Sequence, residues 1–172
     1  MPPVIRDETR ADRRAIFALH ARAFPTDAEA RLVDRLRDAG AATVSLVAQE
    51  DGVVVGHILF SPVRVVANDG AAFDALGLAP MAVVPELQKT GVGGALIRAG
   101  LEACRADRHA MVFVLGHPTY YPRFGFEPAA EHGFAYEGGP SYARAFFVRA
   151  LVPGALAGRS GVVSYHAEFA RL

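Results

Sequence analysis

Three glycines, Gly91, Gly93 and Gly94, fall within four positions of one another. They stand between an apolar run, Leu78 to Val84, and a stretch of helical character that begins "GGALI". Glycine loses more freedom on folding than any other residue, so such a cluster needs a physical reason. A helix start supplies one. Its first N–H groups have no intrahelical acceptor, and the helix dipole places about half a positive charge there. With no Cβ in the way, such amides approach a phosphate or pyrophosphate closely. The spacing excludes two familiar phosphate motifs. A P-loop continues from glycine to Lys-Ser/Thr, whereas Ala95 and Leu96 follow Gly94. A dinucleotide fingerprint needs a third glycine where Leu96 stands, and the strands before this loop read as antiparallel.

Other reactive side chains are scattered. Lys89, the only lysine, and Thr90 lie inside the loop and offer further donors to a phosphate. His57, Asp74, Glu86 and His117 are possible proton acceptors, histidine having the ordinary pKa nearest neutrality. His109 and His132 lack metal-ligand spacing. The single cysteine, Cys104 in "LEACRAD", reads as a small core residue, and one cysteine excludes a disulfide framework or metal cluster. Eighteen basic residues balance 18 acidic ones, which argues against nucleic acid or an anionic membrane as main partner. The start, "MPPVIRDETR", has no apolar centre like that of a signal peptide, so the expected location is the cytoplasm. No apolar run reaches the roughly 18 residues of a membrane-crossing helix.

The elements that must position these residues follow from period and punctuation. Val4 to Asp7 reads as a short strand. In "TRADRRAIFALHARAF", Thr9 and Asp12 have capping-box spacing, and Ile16, Leu19, His20 and Ala23 share one helical face. A second helix is expected from near Thr26, with Leu32, Val33 and Leu36 as its stripe and Gly40 as its stop. Alternation in "TVSLVAQE" predicts a strand, and Asp51-Gly52 a hairpin turn. "VVVGHILFSPVRVV" is a long strand with a bend expected at Ser61-Pro62. "FDALGLAPMAVV" is the next, with an irregularity expected at Pro80, which has no ladder donor. A helix from Gly93 to about Ala106 follows, then a buried strand "AMVFVLG", a short helical turn in "HPTYYPRFGF" leading into another strand, and final strands in "ARAFFVRALV" and "SGVVSYHA". The predicted order is β-α-α-β-β-β-α-β-α-β-β, a mixed, mostly antiparallel α/β fold. No repeat or linker divides residues 1–172, which read as one domain with 52% hydrophobic residues for its core.

"VVPELQKTGVGGALI" resembles the signature of the GNAT superfamily, the acyl-CoA-dependent N-acyltransferases; its Gln/Arg-x-x-Gly-x-Gly/Ala core falls on Gln88 to Gly93. "YYPRFGF" resembles that family's second signature, and the likeness extends over nearly the whole chain. The tail resembles a bacterial subgroup of predicted N-acetyltransferases. The resemblance implies acetyl-CoA or another short acyl-CoA as co-substrate, no metal, and an amine acceptor. It implies a coenzyme A site made by Gln88, Lys89, Thr90, Gly91, Val92, Gly93 and Gly94, with pantetheine beside Met81, Ala82 and Val83. It implies Tyr121 as the acid for the departing thiolate, with Tyr120 as a neighbour able to substitute. A phenol near its ordinary pKa of about 10 is protonated at neutrality, and a thiol near about 8.5 leaves tolerably without help. Some relatives carry a glutamate base where Gly77 stands here, and many carry a small polar residue near His117. The base is therefore open among His57, Asp74, His117, Glu86 and water. A binding domain without turnover, acting as an acyl-CoA sensor, is the alternative. Monomer and homodimer both fit.

Overall fold

The computed structural model describes residues 2–172. They group into two compact units, residues 2–61, 79–103 and 167–172 in one, and residues 62–78 and 104–166 in the other. The fold is mixed α/β, with mostly antiparallel pairing, as the period changes along the chain imply.

In the first unit, β1 (Val4–Asp7) pairs antiparallel with β2 (Val44–Glu50), Val4 opposite Gln49. β2 pairs antiparallel with the first half of β3 (Val53–Val66), Val44 opposite Phe60. The turn between them places Asp51 at φ 49° and Gly52 at φ 79°, the two positive values that a tight primed hairpin turn requires. Alternation along β3 divides its side chains between two helical layers. Gly56 faces α3 (Val92–Ala106): a Cβ there would stand 2.9 Å from Leu96 and 3.1 Å from Val92. A Cβ on Gly100 of α3 would come closer still to the Phe60 ring. These two glycines let helix and strand approach closely. Leu59 faces the other way, into a cluster with Ile16, Leu32, Val33, Leu36 and Val47. That cluster joins α1 (Arg13–Ala23) and α2 (Ala28–Asp38) to the sheet.

The expected Thr9–Asp12 capping box forms ahead of α1. The Asp12 carboxylate accepts from the Thr9 N–H at 2.7 Å and is held by two hydrogen bonds from Arg6. α2 begins at Ala28, with the Thr26 hydroxyl accepting its N–H at 3.2 Å, and Gly40 follows it at φ 70°.

In the second unit, the latter half of β3 changes partner. Arg64 to Val66 pair antiparallel with β9 (Gly161–Ser164). β3 is a strand from Val53 to Val66, and its two halves have separate ladders. The first half of β4 (Ala72–Val83) pairs in parallel with β5 (Met111–Leu115), Leu76 with Val112 and Gly77 with Phe113. β5 pairs antiparallel with β8 (Phe146–Ala150), which also takes β6 (Glu127–Pro128). β7 (Phe134–Tyr136) pairs in parallel with β9. The core gathers Val63, Val65, Phe113, Phe134, Phe146 and Val148, with Phe113 edge-on to Phe134 and stacked on Phe146. The strand expected after "YYPRFGF" is β6, only two residues long, and β7 was not expected; neither is long enough to display a period. The Ala79–Pro80 peptide bond within β4 is cis.

Candidate functional site

In the first unit, β4 is followed by Val84, whose N–H donates to Val55 at 2.9 Å, and a short turn, Pro85–Leu87, leads into the glycine loop. Lys89 at φ 64° and Gly91 at φ 100° reverse the chain, and the space that a Gly91 Cβ would enter is open. The Gly91 carbonyl accepts the first helical bond, from Ala95 at 3.0 Å. α3 therefore starts at Val92, one residue before the expected position. The amides of Val92, Gly93 and Gly94 are its first, and helix geometry gives them no intrahelical acceptor. The Val92 side chain is turned into the core against Gly56, and the two glycines have none. Three consecutive amides without obstructing side chains, at the positive end of a dipole beside Lys89, suit an anion with several oxygens.

Two loop side chains serve the fold. The Gln88 amide donates back to the Val83 carbonyl at 3.1 Å. The Thr90 hydroxyl donates to the Leu87 carbonyl. Both brace the reversal, so it is the backbone that is offered to a ligand. Met81 is half-buried on β4, and Ala82 and Val83 are buried.

In the second unit, Tyr121 opens a helical turn, Tyr121–Phe124, that follows the loop after β5. Its ring lies over Gly116, where a Cβ would collide with it. Tyr120 and Phe126 stand edge-on to it at 5.2 and 5.6 Å. Burial, and next the neighbouring Tyr120, push its phenol up to about 12, so it stays protonated and available as a donor. The Tyr120 ring carries the Arg123 guanidinium at 4.7 Å.

The candidate bases have other engagements. His57 is fully buried on β3. Its Nε2 lies 2.8 Å from the Ser45 hydroxyl, which in turn meets the Glu8 carboxylate. Burial would raise the Glu8 carboxyl, but the nearby His57 ring, the Ser45 hydroxyl and the charge of Arg37 hold it at about 2. An ionised Glu8 makes Ser45 its donor, so the serine oxygen accepts from His57 Nε2–H. His57 Nδ1 must then accept from His20 Nε2–H, 2.8 Å away. His57 has no lone pair left for a substrate. Asp74 is exposed on β4 in an ion pair with Arg64 at 3.1 Å. Glu86 is exposed and paired with Arg22. His117 is exposed in the loop after β5, but its Nδ1 accepts from the Thr119 N–H at 3.3 Å. That fixes its proton on Nε2 and makes the exposed nitrogen a donor.

Two features escaped the sequence reading. One is the His20–His57–Ser45–Glu8 chain, whose members come from four separate stretches. The other is Tyr165, whose ring fills the space at Gly77: a Cβ on Gly77 would lie 2.7 Å from the Tyr165 ring and 2.7 Å from Val63. A glycine deep inside an apolar strand was the one available signal, and it does not name its partner.

The model of the Acetyltransferase (GNAT) domain matches residues 4–129. The chain is 41% identical over 169 residues to the uncharacterized N-acetyltransferase YhbS of Escherichia coli K12, covering 98% of this chain and 99% of that protein. It is 45% identical over 123 residues to the uncharacterized N-acetyltransferase YjhQ of the same strain, covering 70% of this chain and 67% of that protein. Among solved structures, E. coli YhbS in complex with CoA superimposes with a TM-score of 0.91 at 40% identity, over 99% of this chain and 93% of that one. A GNAT family acetyltransferase from Brucella melitensis in complex with acetyl-CoA gives 0.78 at 37% identity, over 97% of each chain.

Proposed function

Since this chain belongs to the GNAT acetyltransferase family, we propose that it moves an acetyl group directly from acetyl-CoA to a primary amine. The observation that carries this reading is the reversal at Lys89–Gly91, which leaves the amides of Val92, Gly93 and Gly94 clear of side chains. The coenzyme A diphosphate sits on those amides, with Lys89 adding charge. Pantetheine runs back along β4 past Val83 and Met81. The Val83 carbonyl is already paired with Gln88, so its contribution is the N–H.

The amine nitrogen attacks the thioester carbonyl, the C–S bond breaks, and an amide forms. Tyr121 gives its phenolic proton to the departing sulfur and recovers one from water. The amine's own proton leaves through water, because His57, Asp74, Glu86 and His117 are all engaged elsewhere. Calorimetry with acetyl-CoA tests the donor site, and absence of binding at about 1 mM would refute it. Thiol release across a panel of primary amines then tests turnover.

A second reading, an acyl-CoA sensor without turnover, draws support from Gly77. The ring of Tyr165 fills that place, where a carboxylate base would serve an enzyme. Acetyl-CoA binding with no thiol release on any amine would favour it.

A further inference from the structure

We propose that Arg22, on the last turn of α1, is a positioning residue of the donor site: by pairing with Glu86 it neutralises the carboxylate beside the glycine loop and so lets that loop accept a diphosphate. The proposal rests on the donor-site reading above. Every residue it uses lies in the first unit. The loop carries an electrostatic conflict in its own sequence. Its amides and Lys89 favour an anion. Glu86, three residues before Lys89, opposes one, and it is the only acidic residue between Asp74 and Glu102.

Glu86 sits in the Pro85–Leu87 turn, and that turn is bonded into the loop. The Gln88 N–H donates to the Pro85 carbonyl at 3.4 Å, and the Thr90 hydroxyl donates to the Leu87 carbonyl. Three residues of chain reach at most about 11 Å. That is comparable with the screening length of about 10 Å at 0.1 M salt, so the carboxylate and an anion bound at Lys89 feel each other. Glu86 does not shed its charge by burial or protonation. Its side chain is exposed, and its own backbone N–H, then the Arg22 guanidinium, hold the carboxyl below its ordinary range. The charge is instead met by a partner: Arg22 Nη2 donates to a Glu86 carboxylate oxygen, across 64 residues of sequence.

Arg22 is presented by a fixed element. The buried Ile16, Leu19 and His20 anchor α1, and the Phe24 N–H closes its last turn on the His20 carbonyl at 3.1 Å. A cation on that turn also suits the negative end of the helix dipole. As a contribution to stability, an ion pair between two exposed side chains counts for little. Its effect is on the field at the loop. Without Arg22, a bare carboxylate faces a ligand of like charge, a repulsion that lowers affinity and that salt screens.

The test is calorimetry of acetyl-CoA on the wild type, Arg22→Ala, Glu86→Gln and the double variant, at about 0.01 M and about 1 M salt, with thermal melts to establish folding. At low salt Arg22→Ala should bind about fivefold more weakly than the wild type. Adding Glu86→Gln to it should restore affinity to within about twofold of the wild type. Glu86→Gln alone should bind at least as tightly as the wild type. At high salt, where the screening length is about 3 Å, the Arg22→Ala deficit should vanish. A helix displaced by loss of Arg22 would not be restored by removing Glu86 as well, so the rescue separates charge from structure. Should Arg22→Ala not fold, Arg22→Gln is read the same way. Unchanged affinity in Arg22→Ala at low salt, a deficit that survives high salt, or a double variant as weak as Arg22→Ala would overturn the proposal. Failure of the wild type itself to bind acetyl-CoA would instead sink the donor-site reading.

Discussion

In the proposed reaction Tyr121 is the acid, and Gly77 is the closely packed point of the strand in the same unit. Replacing Tyr121 by Phe removes one hydroxyl from a buried ring. Turnover should fall by about 100-fold, the usual worth of a positioned acid, while acetyl-CoA affinity stays near that of the wild type. Stopped thiol-release assays alongside calorimetry separate the two effects, and an unchanged kcat would remove Tyr121 from the acid role. With its phenol pushed up to about 12, Tyr121 should impose no loss of rate between pH 7 and pH 10. Gly77→Ala places a methyl against Tyr165 and Val63, both 2.7 Å away and both packed. It should cost about 1–3 kcal/mol by overpacking, read as a lower urea midpoint. Tyr121 was legible because a local motif, "YYPRFGF", surrounds it. The partnership of Gly77 and Tyr165 was not, since nothing in either neighbourhood encodes the other.

At the scale of elements, the loop and α3 form one device. Gly91 holds φ 100° with open space around it, so Gly91→Ala meets no collision but is strained by its backbone angle. Relief of that strain would tilt the first amides of α3. Acetyl-CoA affinity should drop by about tenfold while the melting temperature changes little, because the loop is exposed. Gly100→Ala does the reverse. Its methyl would strike the buried Phe60 ring, so stability should fall by about 1–3 kcal/mol. The affinity of whatever remains folded should be nearly unchanged. The helices and long strands were readable because their stripes and alternations repeat over two or more turns or pleats. The pairing of the latter half of β3 was not, because β9 arrives from the far end of the sequence to meet Arg64–Val66.

For the molecule as a whole, acid is the informative perturbation. Glu8 is held at about 2, below its ordinary 4.5, so its contribution is full above 4.5 and lost as pH falls toward 2. Burial, then the charges of His57 and Arg37, lower His20 to about 3, and burial also lowers His57. These imidazoles are neutral in the folded state and bind protons more readily once unfolded. Their contribution is therefore complete above 6.5 and declines as pH falls from 6.5 toward 3. The melting temperature should hold between pH 7 and pH 8 and drop progressively below about pH 6.5, with a second, steeper fall below about pH 4.5. Glu8→Gln should flatten the lower part of that curve. It also leaves Arg37 without its 2.9 Å partner, at a cost of about 2 kcal/mol at neutral pH.

Local order came from the sequence: the glycine reversal, the helix stripes, the Asp51-Gly52 hairpin and the aromatic motif after β5 are each written in consecutive residues. So was the family, because its two signatures are contiguous. What each reactive side chain is free to do was decided only by tertiary structure. His57, a plausible base by residue type, is spent between Ser45 and His20. Gln88, inside the loop signature, turns back to the strand. Tyr165, in no motif, takes the place beside Gly77. Lone pairs, donors and empty volume are shared among segments distant in sequence, and only the folded chain settles which segment takes them.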